Sequence, residues 1–430
     1  MGARVWAVWL VGLAAYLVAV MHRTSFGVAG LDAAERFDAA PATLSGFVVL
    51  QLLVYATLQV PVGMMLDRFG ARRLVAAGAL TMAAGQLTLA LATDLSLAIA
   101  ARVLVGTGDA LTFISVLAVV GAWFPPRRIP LISQLTGLLG QLGQILSAVP
   151  LAALLHGPGW TWAFVSAAAL GLAVAVAVLA VLRDRPAGVP APQAATSPRE
   201  LFDGLRGSLA EPGTLLGAFT HMGTQFSTNV FALLWGVPYL VAGQGMTNGA
   251  ASGLLTLLVL GGLVVGPLFG EVSGRRPDLR FWVVVAVISL NALAWTAVLL
   301  VPPPAPRWLL VLLVLALATG GPASMIGFDF ARTFNPAHRR GTAVGVVNLG
   351  GFFASLLVAQ ALGLVLGAAG SAEEDYSPGA FRVAWTVQYA VWALTLTGVV
   401  VCWRKARRRS REDQPAAPPR EPAAADQPAG

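Results

Sequence analysis

Residues 43–93 read TLSGFVVLQLLVYATLQVPVGMMLDRFGARRLVAAGALTMAAGQLTLALAT. Two long apolar stretches flank a short turn, Asp67-Arg68-Phe69-Gly70-Ala71-Arg72-Arg73, that gathers one acid and three bases. A helix rises 1.5 Å per residue, so about 20 apolar residues cross the roughly 30 Å of bilayer hydrocarbon. Neither stretch carries the charged face that a soluble helix of this length turns to water. The segment reads as two membrane-crossing helices joined by a tight polar loop.

The rest of the chain repeats that pattern. Of 430 residues, 57% are hydrophobic and only 11% charged, with a mean hydropathy of +0.74. A soluble domain carries about 25% charged residues. So few charges cannot coat a water-exposed surface of this size. The net charge of +8 would suit a nucleic-acid partner, but the bases sit in short clusters between apolar runs, with no basic stripe or interleaved aromatics. No nucleic-acid partner is expected. Cys402 is the only cysteine, which excludes an internal disulfide and a cysteine metal site. The N-terminal run to Val20 has the look of a signal peptide, but eleven further apolar runs follow, so it is read as a retained first span.

Apolar runs predict spans near 5–30, 43–66, 73–93, 96–121, 130–153 and 161–182, then 213–240, 250–272, 281–301, 308–330, 340–367 and 381–403. The one long connection, 183–212, is rich in Pro, Ala, Arg and Glu. The expected organisation is an N-terminal six-helix bundle (1–182), a linker (183–212), a C-terminal six-helix bundle (213–403) and a disordered tail (404–430). Arginines sort to the loops after even-numbered spans: Arg68, Arg72 and Arg73; Arg127 and Arg128; Arg183 and Arg185; Arg275, Arg276 and Arg280; Arg332, Arg339 and Arg340. Loops after odd spans hold acids instead, namely Asp32, Glu35, Asp38, Asp94, Glu373, Glu374 and Asp375. Only Arg36 and Arg307 fall on the minority side. The positive-inside bias then puts both termini and the linker in the cytoplasm of a multi-pass inner-membrane protein, expected to be a monomer. At an offset of 203 residues, Gly63 falls on Gly266 and Arg72-Arg73 fall on Arg275-Arg276, a faint internal repeat.

The loop Gly63-Met-Met-Leu-Asp67-Arg68-Phe-Gly70-Ala-Arg72-Arg73 resembles the GxxxDRxGRR/K signature of the major facilitator superfamily, departing at Ala71. The second-half copy is degraded, with Gly270 where the acid would stand and Glu271 beside it. Gly63 lets helices approach, Gly70 permits a tight turn, and Asp67 suits either an arginine or the positive end of a neighbouring helix. The resemblance implies that this helix is the eleventh, starting near Gly341, and that the contact latches one side shut. It also implies an all-α membrane protein with twelve transmembrane helices in two six-helix pseudo-repeats, the MFS fold. Gly157-Pro-Gly-Trp160-Thr-Trp162-Ala-Phe164 resembles the start of the superfamily's sixth span.

Arg102-Val-Leu-Val-Gly106-Thr-Gly108-Asp109 resembles the fourth-span motif RxxxGxG. Ionisable residues are costly in hydrocarbon, so they face partners or a wet cavity. Seven residues separate Arg102 from Asp109, about two turns, which puts both on one helix face. Asp109 near the membrane centre suits a proton-coupling group with Arg102 as companion; a structural Arg–Asp pair is the alternative. His22-Arg23 interrupts the first span. With the fourth-span acid, this resembles the anion:cation symporter branch, implying that Arg23 binds an organic anion and Asp109 carries the proton. The branch usually has Asp where His22 stands; this histidine either titrates or merely hydrogen-bonds.

Polar residues recur at helical spacing inside spans: Gln51, Tyr55 and Gln59; His221, Gln225 and Asn229; Gln134, Gln141 and Gln144; and Asn348. They read as a wettable substrate wall formed by Gln51, Tyr55, Gln141, His221, Gln225, Asn229 and Asn348, together with His22 and Arg23. Interhelical hydrogen bonding is the plainer reading for any one of them. Asp329, Arg332, Arg339 and Arg340 form a charged gate candidate beside Gly63, Asp67, Arg68, Gly70, Arg72 and Arg73. Gly137, Gly140 and Gly143 resemble the glycine-rich fifth span of drug/proton antiporters, but the diagnostic Gly-Pro pair is missing.

No HExxH, P-loop or GxSxG occurs, and the four histidines are scattered, so neither an enzyme nor a cofactor is expected. The expected function is secondary active transport of a small solute by alternating access, as a proton-coupled symporter of an organic anion. A drug or metabolite efflux antiporter is the alternative. A non-transporting receptor or lipid-handling protein on the same fold is the alternative of another class.

Overall fold

The computed structural model describes residues 2–39, 41–190, 197–368 and 377–412. Inside hydrocarbon every backbone N–H and C=O must find a partner within the chain, and a helix satisfies them all locally. Among the described residues, twelve helices are long and apolar enough to cross a membrane. In the first half they are Ala3–Val28, Val49–Phe69, Ala71–Leu91, Leu95–Trp123, Ile129–His156 and Trp160–Val181. In the second half they are Pro212–Gly243, Asn248–Arg275, Pro277–Leu300, Arg307–Phe334, Ala337–Ala368 and Pro378–Arg409. Each contains the core of an expected span.

Successive spans alternate in direction, so one face of the molecule carries the chain's start, the linker and the end of the twelfth helix. We call it the terminal face. Trp123 Nε1 donates to Arg183 O there (2.8 Å), and Arg409 reaches Ala210 O and Glu211.

Two regions differ from the sequence-based expectation. The linker, assigned no helix from sequence, contains one: Pro198–Leu209, capped by Ser197, whose hydroxyl accepts from Glu200 N. The Ser197-Pro-Arg-Glu200 spacing is a capping-box signature that announces such a start. At the other end, helix runs to Glu412, so residues 404–412 belong to the twelfth helix and not to a disordered tail. Lys405 and the arginines of this extension sit at the negative end of that helix dipole, which favours cations. Residues 413–430 and the acidic loop with Glu373, Glu374 and Asp375 lie outside the described residues.

Two arginines on the face opposite the termini have local partners: Arg36, and Arg382, which the sequence-based sorting did not place there. Arg36 donates twice to Ala92 O at the end of the third span and lies over Trp160. Arg382 does the same to Leu299 O at the end of the ninth. Each cation caps a helix C-terminus, the negative end of its dipole.

The halves meet along two seams. The second span packs on the eleventh: a side chain at Gly63 would stand 2.5 Å from Gly341 O, and Gly345 lies against Gln59 O. The eighth packs on the fifth, with Gly266 against Leu138, Gly270 against Leu131 and Gly274 against Arg127. Near the terminal face, Phe328, Ala331, Ala343, Val344 and Val347 of the second half join the apolar core of the first.

Candidate transport site and terminal-face latch

Arg23 and Asp109 form the centre of the candidate site. Arg23 Nε donates to Asp109 Oδ2 at 2.7 Å and Nη2 to Oδ1 at 2.9 Å. Asp109 lies midway along the fourth span and is 1% exposed, while Arg23 retains 18% exposure. The Tyr55 ring sits 5.3 Å from the guanidinium carbon, and the Tyr16 hydroxyl lies beside it while accepting from Gln141 Nε2 at 3.2 Å. Tyr16 was not singled out from sequence, although it precedes Arg23 by seven residues and so shares its helix face.

Arg102 does not bond the Asp109 carboxylate, despite sharing its helix face. It donates to Gln51 Oε1 and to Arg23 O (3.0 Å), and its guanidinium carbon stands 5.1 Å from the Phe26 ring centre. Arg102 therefore braces the first span behind Arg23. Its Nε and Nη1 have no partner among the described residues.

His22 turns away from this site. Its Nε2 contacts Ala167 O at 3.0 Å, its ring packs on Gly171, and it is fully buried. The structure thus gives it a packing position against the sixth span rather than access to a ligand at Arg23. Adjacent helix residues diverge by about 100°, which separates His22 from Arg23.

The polar stripes divide. Asn348 Nδ2 donates to Tyr55 Oη (3.1 Å) and Gln59 Oε1 (2.7 Å), tying the halves together inside the bundle. Gln134 Nε2 does so at Pro322 O (2.6 Å). His221 is buried, with Nδ1 3.2 Å from Ser324 O and its ring against Phe328. These residues are interhelical fasteners in this state. Gln141 and Gln144 are exposed, and Gln225 and Asn229 are half-buried, with Asn229 donating to Ser355 Oγ at 3.3 Å.

On the terminal face, Asp67 accepts from Gly341 N (2.7 Å), Thr342 N (2.8 Å) and Thr342 Oγ1 (2.7 Å). These amides open the eleventh helix, whose first N–H groups have no partner within the helix. Gly70 adopts a φ of +80°, which glycine reaches without strain. A side chain there would collide with Asp184, whose carboxylate takes Arg72 N at 2.7 Å. Arg72 also donates to Leu179 O. Asp184 was missed from sequence because it stands more than a hundred residues from the loop it completes.

Arg68 lies over the Phe69 ring, and Arg73 is exposed. Asp329 accepts from Arg332 Nη1 (3.1 Å) and Ser273 Oγ (2.7 Å). Among the described residues, the eighth–fifth seam has no acid at the fifth helix's start; Gly270 and Gly274 give close packing instead, and Glu271 pairs with Arg275.

Comparison with solved structures matches this architecture across nearly the whole chain. A bacterial homolog of the human lysosomal transporter Spinster, in an inward-facing conformation, aligns with a TM-score of 0.58 at 17% identity, covering 95% of this chain and 98% of that one. The proton:xylose symporter XylE, bound to 6-bromo-6-deoxy-D-glucose, aligns with a TM-score of 0.65 at 14% identity, covering 94% and 96%. Sequence relatives match over shorter stretches. A quinolone resistance transporter of Acinetobacter baumannii is 30% identical over 158 residues, 35% of this chain and 36% of that protein. A protein of Agrobacterium vitis provisionally named as a tartrate transporter is 25% identical over 177 residues, 40% of this chain and 41% of that protein. Both matches span well under half of those relatives. The family model for the Major Facilitator Superfamily matches residues 12–359. With twelve spans, two six-helix halves and the Asp67 loop seated on the eleventh helix, the chain belongs to the major facilitator superfamily of membrane transporters.

Proposed function

We propose that this transporter is a proton-coupled symporter of a small organic anion, with Arg23 receiving the anion and Asp109 the proton. The observation that carries the reading is the two-pronged Arg23–Asp109 pair at mid-membrane, with Arg23 the partly exposed member. Unpaired charge is expensive at this depth. Empty, the Arg23–Asp109 pair is itself neutral, and the buried Arg102 behind it is a fixed charge through the cycle. An incoming carboxylate that takes the guanidinium leaves Asp109 charged, and a proton on Asp109 restores neutrality. A site holding the anion without the proton, or the proton without the anion, carries net charge and crosses poorly. Coupling follows from that penalty.

By the positive-inside bias the terminal face is cytoplasmic, and the bacterial sources of its relatives favour a bacterial inner membrane. The Asp67 contact then closes the cytoplasmic side. Gln141, Gln144, Gln225 and Asn229 line the vestibule through which the anion arrives, with Tyr16 and Tyr55 flanking Arg23. Transport proceeds by rocking of the two halves about this centre, in a monomer.

The test is uptake of small carboxylates into proteoliposomes with an imposed pH gradient, in which a monoanion should enter with one proton and tartrate, a dianion, with two. Asp109→Asn should abolish gradient-driven uptake while keeping counterflow exchange. Uptake that stays proton-driven in Asp109→Asn ends the proposal. Similarity to a quinolone resistance transporter favours efflux as a second reading. Efflux predicts outward movement of amphipathic compounds that is indifferent to Arg23→Ala.

A further inference from the structure

Between the halves on the terminal face lies a cavity of about 750 Å3, a size that small ligands occupy. Arg68 and, at the start of the linker, Arg185 line one side; Arg280, Arg332 and Arg340 line the other. Three carboxylates share the cavity, Asp67, Asp184 and Asp329. Two of them are held mainly by groups other than these arginines: Asp67 by the start of the eleventh helix, Asp184 by the Arg72 amide. Asp329 serves two arginines. It bonds Arg332 directly and reaches Arg280 only through the Ser273 hydroxyl, which accepts from Arg280 Nε at 2.8 Å.

Positive charge is therefore left over. Arg68 makes no ion pair with any described residue, only its contact with the Phe69 ring. The second terminal nitrogen of Arg332, Nη2, is buried without an acceptor, and Arg332 crosses the seam to stand against Gly121 of the first half. Guanidinium forks bind phosphate and carboxylate groups through paired, charge-assisted hydrogen bonds.

We propose that this cavity binds a small polyanion bearing phosphate or carboxylate groups, and that its occupancy holds the terminal face closed. Arg68 and Arg185 precede the second half, whereas Arg332 and Arg340 belong to it. An anion touching both sets adds a bridge across the seam that must break before the halves part. Such a ligand binds the closed form in preference to the open one and shifts the population toward it. Polyanion accumulating on this side then slows turnover. The site is separate from the Arg23–Asp109 centre and does not depend on what that centre carries.

The test uses the purified full-length chain in nanodiscs of phosphatidylcholine, with radiolabelled pyrophosphate as the probe in equilibrium dialysis. Saturable binding is expected, weakened about ten-fold or more by Arg68→Gln with Arg332→Gln, and unchanged by Arg307→Gln, an exposed arginine outside the cavity. Arg68→Gln alone removes a charge that makes no hydrogen bond, so a weaker but measurable loss remains readable if the double variant does not fold. Discs doped with phosphatidylglycerol separate the two sources of the chemistry. Loss of pyrophosphate binding there identifies a lipid headgroup as the occupant, and retention identifies a soluble anion. Absence of saturable binding, or binding that survives loss of both arginines, overturns the proposal.

Discussion

Asp67 joins the second span to the eleventh by accepting three hydrogen bonds from two successive residues, Gly341 and Thr342. The carboxylate meets the positive end of a helix dipole as well as its free amides. The bond lies across the seam between the halves, so it is made in the closed form and must break when this face opens.

Asp67→Asn removes the charge and one acceptor oxygen while keeping the shape. Hydrogen bonds to charged groups contribute about 1.5–3 kcal/mol, so the open form should gain about ten-fold in population. A cysteine placed at Ala118, which lines the terminal-face cavity, reports it in a Cys402→Ser background. Its labelling by a membrane-impermeant maleimide from the terminal side should accelerate in Asp67→Asn; an unchanged rate would remove Asp67 from the latch.

Gly63→Val acts on the same seam by size alone. A Cβ there stands 2.5 Å from Gly341 O and 3.0 Å from the Thr342 Cα, both backbone atoms that cannot swing aside. The variant should insert normally yet hold the terminal face open, giving fast labelling at Ala118→Cys and transport at background level. Wild-type transport would show that the close approach is dispensable.

Breaking the central ion pair should cost stability in an asymmetric way. Arg23→Ala leaves a buried carboxylate without its partner, a loss of about 3–5 kcal/mol in comparable buried pairs. Adding Asp109→Asn removes the stranded charge, so the double variant should unfold in detergent at a higher temperature than Arg23→Ala alone. Equal or lower melting of the double variant would mean the two residues do not depend on each other.

Topology can be read with single cysteines at Arg73 and Arg408, again in the Cys402→Ser background. Both should label from the cytoplasmic side of right-side-out cells only after permeabilisation. Labelling of either in intact cells would reverse the orientation inferred from the arginine distribution.

How much of this was legible beforehand follows from the range of each interaction. Helical spans are local: the run of apolar residues itself decides that hydrocarbon surrounds it, and the backbone then has one way to satisfy its hydrogen bonds. Hence the spans, the two halves, the glycine and acid of the Asp67 loop and the placement of Asp109 at mid-depth could be read from residues alone. The Ser197-Pro-Arg-Glu200 capping signal is equally local.

Pairing was decided by tertiary structure. Spacing along one helix put Arg102 and Asp109 on a common face, but only the packing of the first span against the fourth brought Arg23 to the carboxylate and left Arg102 to Gln51. The same packing turned His22 toward Ala167 and drew Asn348 to Tyr55 and Gln59, converting expected ligand-facing groups into fasteners. A sequence specifies which side chains a helix presents at each turn. Which neighbour stands opposite depends on how a dozen helices rotate and tilt together, and that is set by contacts between residues far apart in the chain.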